Sequence, residues 1–371
     1  MQVRQEKKSR VPRFPLLRRR TETAGVSPGE AFECAQRAWE EGRQADALAA
    51  VRKLSGASVP GEVRRAIGQF LIDAGDLQTA CANFERLLAE EPESACAAYS
   101  LGRVYDRLGR TDDGLRTLRR AIELEPDNAE CHYRMGVALA RAERRREAEE
   151  CYRRAIALDR GHARAYTNLG YLMDLRGEGD QAIRLFRRAL QFNPHSAEAH
   201  FNLGALYGEH GSHDEAVREF RYALRLAPDS VEANYNLGIA LYEQGDMDGA
   251  LDCFRRALKL ESGHTDAQFF VGMIFYRKGL YSKSVKMLQV ALKTNPDHPS
   301  ILYHIGMCYN HLNQPSRAIP PLKRVTELSP DDHRAFYALG MVYDRADMRE
   351  EARESYRVAD AKLHGTRSRV A

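Results

Sequence analysis

A glycine returns every thirty-four residues along most of this chain, at positions 68, 102, 136, 170, 204, 238, 272, 306 and 340. Between residues 163 and 264 the surrounding text is written three times: AYTNLGYLM at 165–173, AHFNLGALY at 199–207 and ANYNLGIAL at 233–241. Each line is followed by a turn and a second half: DQAIRLFRRAL, DEAVREFRYAL and DGALDCFRRAL. Leu169, Leu203 and Leu237 precede the glycines, and Ala182, Ala216 and Ala250 stand four residues before Phe186, Phe220 and Phe254. Apolar and small residues at three- and four-residue spacing specify two amphipathic helices per unit. Glycine and alanine let paired helices approach closely, and the large side chains fill the space between units. A fixed period of this length means a stack of units that bury their apolar faces on one another, so chain length does not count domains here.

The register holds without insertion for nine units over 61–366. A one-residue slip admits a worn unit at 27–60, where Gly42 and Ala47 match Gly177 and Ala182, Ala35 takes the glycine slot and Cys34 the leucine slot. Pro92, Pro126, Pro194, Pro228, Pro296 and Pro330 close second helices, and Ser94, Asn128, Ser196, Ser230 and Asp332 suit N-caps of the first helices that follow. Pro315, Pro320 and Pro321 crowd one second helix, and Pro320 is expected to bend or delay it. The short tail 367–371 leaves the last unit uncapped, a surface open to self-association.

This period and these signatures resemble the tetratricopeptide repeat (TPR) family over residues 27–366. The resemblance implies an all-α fold, a right-handed TPR superhelix (α-solenoid) of about ten helix-turn-helix repeats. It also implies that the second, fifth, sixth, ninth, twelfth and thirteenth residues of each unit line a concave, peptide-binding groove.

The sixth slot holds Asn168, Asn202 and Asn236 in three successive units. An amide offers donors and an acceptor together, as an extended peptide backbone requires. The row is similar to the asparagine ladder of O-linked N-acetylglucosamine transferases, although Arg134 precedes it and Phe270 and His304 follow it. The carboxylate clamp of chaperone-binding TPR proteins is missing, since the fifth slots hold mainly aromatics such as Tyr99, Tyr133, Phe201 and Tyr235. Charge divides the stripe. Units 163–264 carry Asp174, Glu198, Glu209, Glu232 and Glu243 against Arg164, whereas units 95–162 carry Arg103, Arg107, Arg134 and Arg141 against Asp106 and Glu130. Further on it turns apolar, with Phe269, Phe270, Met273, Tyr276, Tyr303, Met307, Tyr337 and Met341. Methionine gives a soft surface that repacks around a ligand.

No catalytic constellation stands out. GxGxxA at 177–182 follows a helix, not a strand, so it reads as the turn inside a repeat and not as a dinucleotide site. His210 and His213 lie in a turn with no second ligand pair, and His304 and His311 read as groove lining. Seven scattered cysteines form no CxxC pair and read as small core residues in a reducing compartment. The second-helix arginines, among them Arg187, Arg188, Arg255 and Arg256, read as a solvated outer surface.

Residues 1–26 form a separate tail: its first twenty carry eight Lys or Arg against Glu6, a local charge of +7 in a chain whose net charge is +4. It reads as disordered. Arg13 to Arg20 mix basic and apolar groups that the acidic stripe would accept, so the tail is a candidate for self-association or for an anionic partner. No secretion signal or membrane span is apparent, which places the chain in the cytoplasm. The expectation is a non-enzymatic scaffold or adaptor without cofactor or metal, binding an extended basic and apolar segment of a protein partner for complex assembly. Two alternatives are a substrate-recruiting subunit of a separate enzyme, such as a glycosyltransferase, and nucleic-acid or anionic-surface binding through the tail.

Overall fold

The computed structural model describes residues 27–367. The basic tail and its expected roles lie outside the described residues. All regular structure among those described is helical, and the helices fall into two compact units that divide at Arg160.

The first unit holds four helical hairpins: α1 (Pro28–Glu40) with α2 (Gln44–Ser55), α3 (Gly61–Asp73) with α4 (Leu77–Glu90), α5 (Ala95–Arg107) with α6 (Thr111–Leu124), and α7 (Ala129–Arg141) with α8 (Arg145–Leu158). The second holds six. They are α9 (Ala163–Asp174) with α10 (Gly179–Phe192), α11 (Ala197–Glu209) with α12 (His213–Leu226), and α13 (Val231–Gln244) with α14 (Met247–Leu260). Then come α15 (Thr265–Arg277) with α16 (Tyr281–Leu292), α17 (Pro299–His311) with α18 (Pro315–Leu328), and α19 (His333–Arg345) with α20 (Arg349–Arg367). Within each unit a second helix packs on its own first helix and on the next one, as α12 does on α11 and α13.

Local chemistry sets these boundaries. Ser94, Asn128, Ser196, Ser230 and Asp332 each accept a backbone N–H of the helix they precede. Three histidines do the same work. Nδ1 of His162, His264 and His298 accepts from Ala165 N, Ala267 N and Ile301 N at 3.2, 3.3 and 3.4 Å. At the turn inside seven hairpins a glycine holds a left-handed φ, as Gly177 does at +77°, and Glu143, Asn313 and Asp347 hold it elsewhere. The repeated glycine marks a close approach: a Cβ on Gly238 would lie 2.7 Å from the ring of Phe254, which is fully buried.

Two expectations need correction. Pro320 neither delays nor divides α18, which spans the same fourteen residues as α12 or α14. Pro315 sits at its first turn, where no amide is needed, and buried Ala318, Leu322 and Val325 hold the helix across the two internal prolines. The last helix, α20, is longer than the other second helices and runs nineteen residues to Arg367. No proline follows it, in contrast to Pro228 after α12 or Pro330 after α18. Finally, Cys81, Cys131, Cys253 and Cys308 are core residues, but Cys34 and Cys96 are exposed. The buried side of α1 is set by Phe32, Ala35 and Ala38, which leaves Cys34 off it. Cys96 falls on the groove stripe.

Candidate functional site

The sixth-slot amides sit on α9, α11 and α13, three successive first helices that touch, α9 against α11 and α11 against α13. Asn168, Asn202 and Asn236 are half-buried, each beside a buried leucine. Asn168 has a partner within the chain. Among the described residues the amides of Asn202 and Asn236 have none. Asn234 provides the contrast: it is buried, and its Nδ2 donates to the Ser230 carbonyl at 2.8 Å. Asn234 therefore serves the fold, whereas Asn202 and Asn236 keep their donors and acceptors available.

The acids of the same helices are likewise uncommitted. Glu198, Glu209, Glu232 and Glu243 are exposed, and none forms an ion pair among the described residues. Glu232 accepts only a long hydrogen bond from Ser230 Oγ, at 3.4 Å. Asp174 is half-buried. Burial pushes its carboxyl above the usual range, against a pull in the other direction from nearby His210.

The stripe in the first unit behaves differently. Arg134 pairs with Glu130 at 3.0 Å and Arg141 with Asp106 at 2.9 Å, while Arg107 donates to the Ile72 carbonyl at 3.2 Å. Arg103 lies over Tyr99, whose hydroxyl donates to Glu130 at 3.0 Å. Its positive charge is therefore largely spent within the fold.

The apolar stretch forms a connected set of rings. Phe270 stacks on buried Phe254 at 5.3 Å and meets Tyr235, Tyr242 and Phe269 edge-on at 6.2, 5.5 and 5.6 Å. Tyr276 has His304 and His311 at 5.7 and 5.6 Å, and its hydroxyl is 3.2 Å from His311 Nε2. Burial holds His304 below the usual histidine range, against a pull upward from the Ser300 carbonyl, to which its Nδ1 donates at 2.7 Å. Tyr303 and His304 join Asp332 and Arg334 around a small cavity of about 170 Å³. Met273, Met307 and Met341 are half-buried, the last two against the core of the second unit. Tyr337 remains 55% exposed and packs on Tyr356 at 5.4 Å. These residues thus share their surface between core and solvent, which the slot pattern alone does not reveal.

Sequence reading passed over a cleft on the second helices, about 710 Å³ in volume, between α12 and α14. From sequence, Arg256 reads as solvated surface; the small residues Gly249 and Cys253 beside it are the available signal.

Hairpins of this length and packing, repeated every thirty-four residues, define a tetratricopeptide-repeat protein. Residues 158–370, more than half of the chain, match the family model described as "Cilia and flagella-associated protein 70 C-terminal domain", and the chain belongs to that family. Residues 73–155 match the model described as "Anaphase-promoting complex, cyclosome, subunit 3". No curated protein matches the chain. Among solved structures it is similar to YrrB, described as a TPR protein with an unusual peptide-binding site, at 25% identity over 51% of this chain and 98% of that one, with a TM-score of 0.48. It is similar to MamA at 23% identity over 46% and 94%, with a TM-score of 0.43. It is also similar to the human IFIT1 dimer with m7Gppp-AAAA, at 20% identity over 88% and 80%, with a TM-score of 0.49. Tetratricopeptide repeats generally mediate protein–protein interaction and are generally non-catalytic scaffolds. No helix among the described residues is long and apolar enough to cross a membrane.

Proposed function

We propose that this protein is a non-enzymatic adaptor that holds an extended segment of a protein partner along the first helices of residues 163–264. The observation that carries this reading is the state of the polar groups on α11 and α13. Asn202, Asn236, Glu198, Glu209 and Glu243 have no hydrogen-bonding or ion-pairing partner among the described residues. Side chains that the fold does not use, aligned on helices in contact, are groups free for a ligand. The amides, with Asn168, bind the ligand backbone, and the carboxylates select basic side chains. Tyr235, Phe269, Phe270, Met273, Tyr303, Met307, Tyr337 and Met341 would take apolar side chains further along. The internally paired arginines of the first unit add little to this recognition.

Panning the full chain against displayed random twelve-residue peptides tests the reading. It should enrich a family rich in Lys or Arg and apolar residues. Binding of that family should fall at least tenfold when Glu198, Glu209 and Glu243 are replaced by Gln together. Failure to obtain such a family, or a family indifferent to the three substitutions, would overturn the reading.

A further inference from the structure

The cleft between α12 and α14 is lined on its α14 side by two small residues, Gly249 and Cys253. Gly249 stands where the neighbouring units have Glu215 and Lys283, and Cys253 stands where they have Glu219 and Met287. Both helices pack on α13, whose Leu237 and Leu241 supply an apolar floor. The walls are arginines. Arg218, Arg221 and Arg225 come from α12 and Arg256 from α14, and Asp252 is the one acid among the lining residues. Arg218 is committed to Glu215 at 2.9 Å, and Asp252 lies 3.7 Å from Arg255 outside the cleft. Arg221, Arg225 and Arg256 have no carboxylate in ion-pair reach among the described residues. Burial pushes the Cys253 thiol up; Arg256 and Arg221 pull it down, and Asp252 and Asp246 push it up.

One wall is built in advance. Tyr222 stacks on His200 with centroids 5.1 Å apart, and His200 Nδ1 is 2.6 Å from Glu219. The Arg225 guanidinium lies 4.1 Å from the Tyr222 centroid, which restrains a long side chain before any ligand arrives.

We propose that this cleft is a second docking site, which takes an acidic segment of a protein partner with an apolar side chain on Leu237 and Leu241 and carboxylates against Arg221, Arg225 and Arg256. Unspent positive charge above an apolar floor is complementary to that chemistry. A single-stranded nucleic acid needs successive stacking platforms, and this cleft has one aromatic ring, Tyr222, among its lining residues. Its charged walls lie on α12 and α14, it shares only α13 with the asparagine row, and it selects the opposite charge, so substitutions in the walls test it separately.

The test is fluorescence anisotropy on the full chain with three labelled probes. They are a twelve-residue peptide of Asp and Glu with two leucines, the same peptide with every acid replaced by its amide, and a twelve-nucleotide oligouridylate. The acidic peptide should bind, weaken at least tenfold in the Arg221→Gln/Arg256→Gln double variant, and weaken with added salt. The amide peptide should not bind. The double variant should melt as wild type, since both arginines are exposed and unpaired, and it should retain the basic peptides selected above. Absence of acidic-peptide binding, or equal affinity for the double variant, would overturn the proposal. So would tighter binding of oligouridylate that is lost in the same variant.

Discussion

Helix α11 contains two glycines, four residues apart, that should respond to alanine in opposite ways. At Gly208 an added Cβ meets no atom within 4 Å. At Gly204 it would lie 3.0 Å from both Cδ1 and Cε1 of Phe220, a ring 2% exposed with no room to swing away. Both substitutions gain about 1 kcal/mol of helix propensity, because alanine loses less backbone freedom than glycine. Only Gly204→Ala also overpacks the helix pair, at about 1–3 kcal/mol. Gly208→Ala should therefore stabilise by about 1 kcal/mol, and Gly204→Ala should range from neutral to destabilising by about 2 kcal/mol. Gly238→Ala, 2.7 Å from Phe254, should cost at least as much as Gly204→Ala. Urea unfolding followed by circular dichroism reads the ordering. Amide exchange in α11 and α12 reads it locally, because a repeat array need not unfold as one unit. Equal shifts in the same direction at 204 and 208 would refute the close-approach account of the repeated glycine.

Two further outcomes follow from the backbone. Glu143 is exposed and holds φ at +59° where seven other hairpins place glycine, so Glu143→Gly should stabilise by about 1 kcal/mol, and Asn313→Gly by less because asparagine tolerates this region. Thermal melts of the two variants check this, and a loss of stability in Glu143→Gly would contradict it. In α18, Pro320 and Pro321 each lack an amide, so residues 315–325 should exchange fastest among the second helices; protection there equal to that of α12 and α14 would show that side-chain packing alone fixes local stability.

What the sequence made legible was local and repeated. The Leu-Gly pairs, the prolines after second helices and the Ser, Asn and Asp caps act within a few residues of themselves, and thirty-four-residue repetition amplifies them. The histidine caps at 162, 264 and 298 escaped, because histidine is not a favoured cap and its Nδ1 reaches the amide only in the folded geometry. Arg64 escaped for a similar reason. It looks like any surface arginine, yet it is 1% exposed and donates to the Ser55 and Ala57 carbonyls at 3.3 and 3.2 Å and to Glu90. For the candidate site, the sequence counted charges but did not reveal which were spent. Arg141 and Asp106 are thirty-five residues apart and neutralise each other, while Glu198, Glu209 and Glu243 find no cation among the described residues. The arginine cleft is lined by the small residues Gly249 and Cys253, and a reading that follows large side chains passes over it.

The central claim is that Asn202 on α11 and Asn236 on α13 serve a ligand and not the fold, with Asn168 on α9 joining them in the contact. Replacing Asn168, Asn202 and Asn236 by alanine together, and measuring both the melting curve and the affinity for a selected basic peptide by titration calorimetry, tests it directly. Each backbone clamp is worth on the order of 0.5–1.5 kcal/mol, and tenfold in affinity corresponds to about 1.4 kcal/mol. The account predicts a melting curve close to wild type and an affinity at least tenfold weaker. A triple variant that binds the peptide as tightly as wild type would show that the three asparagines belong to the repeat and not to recognition.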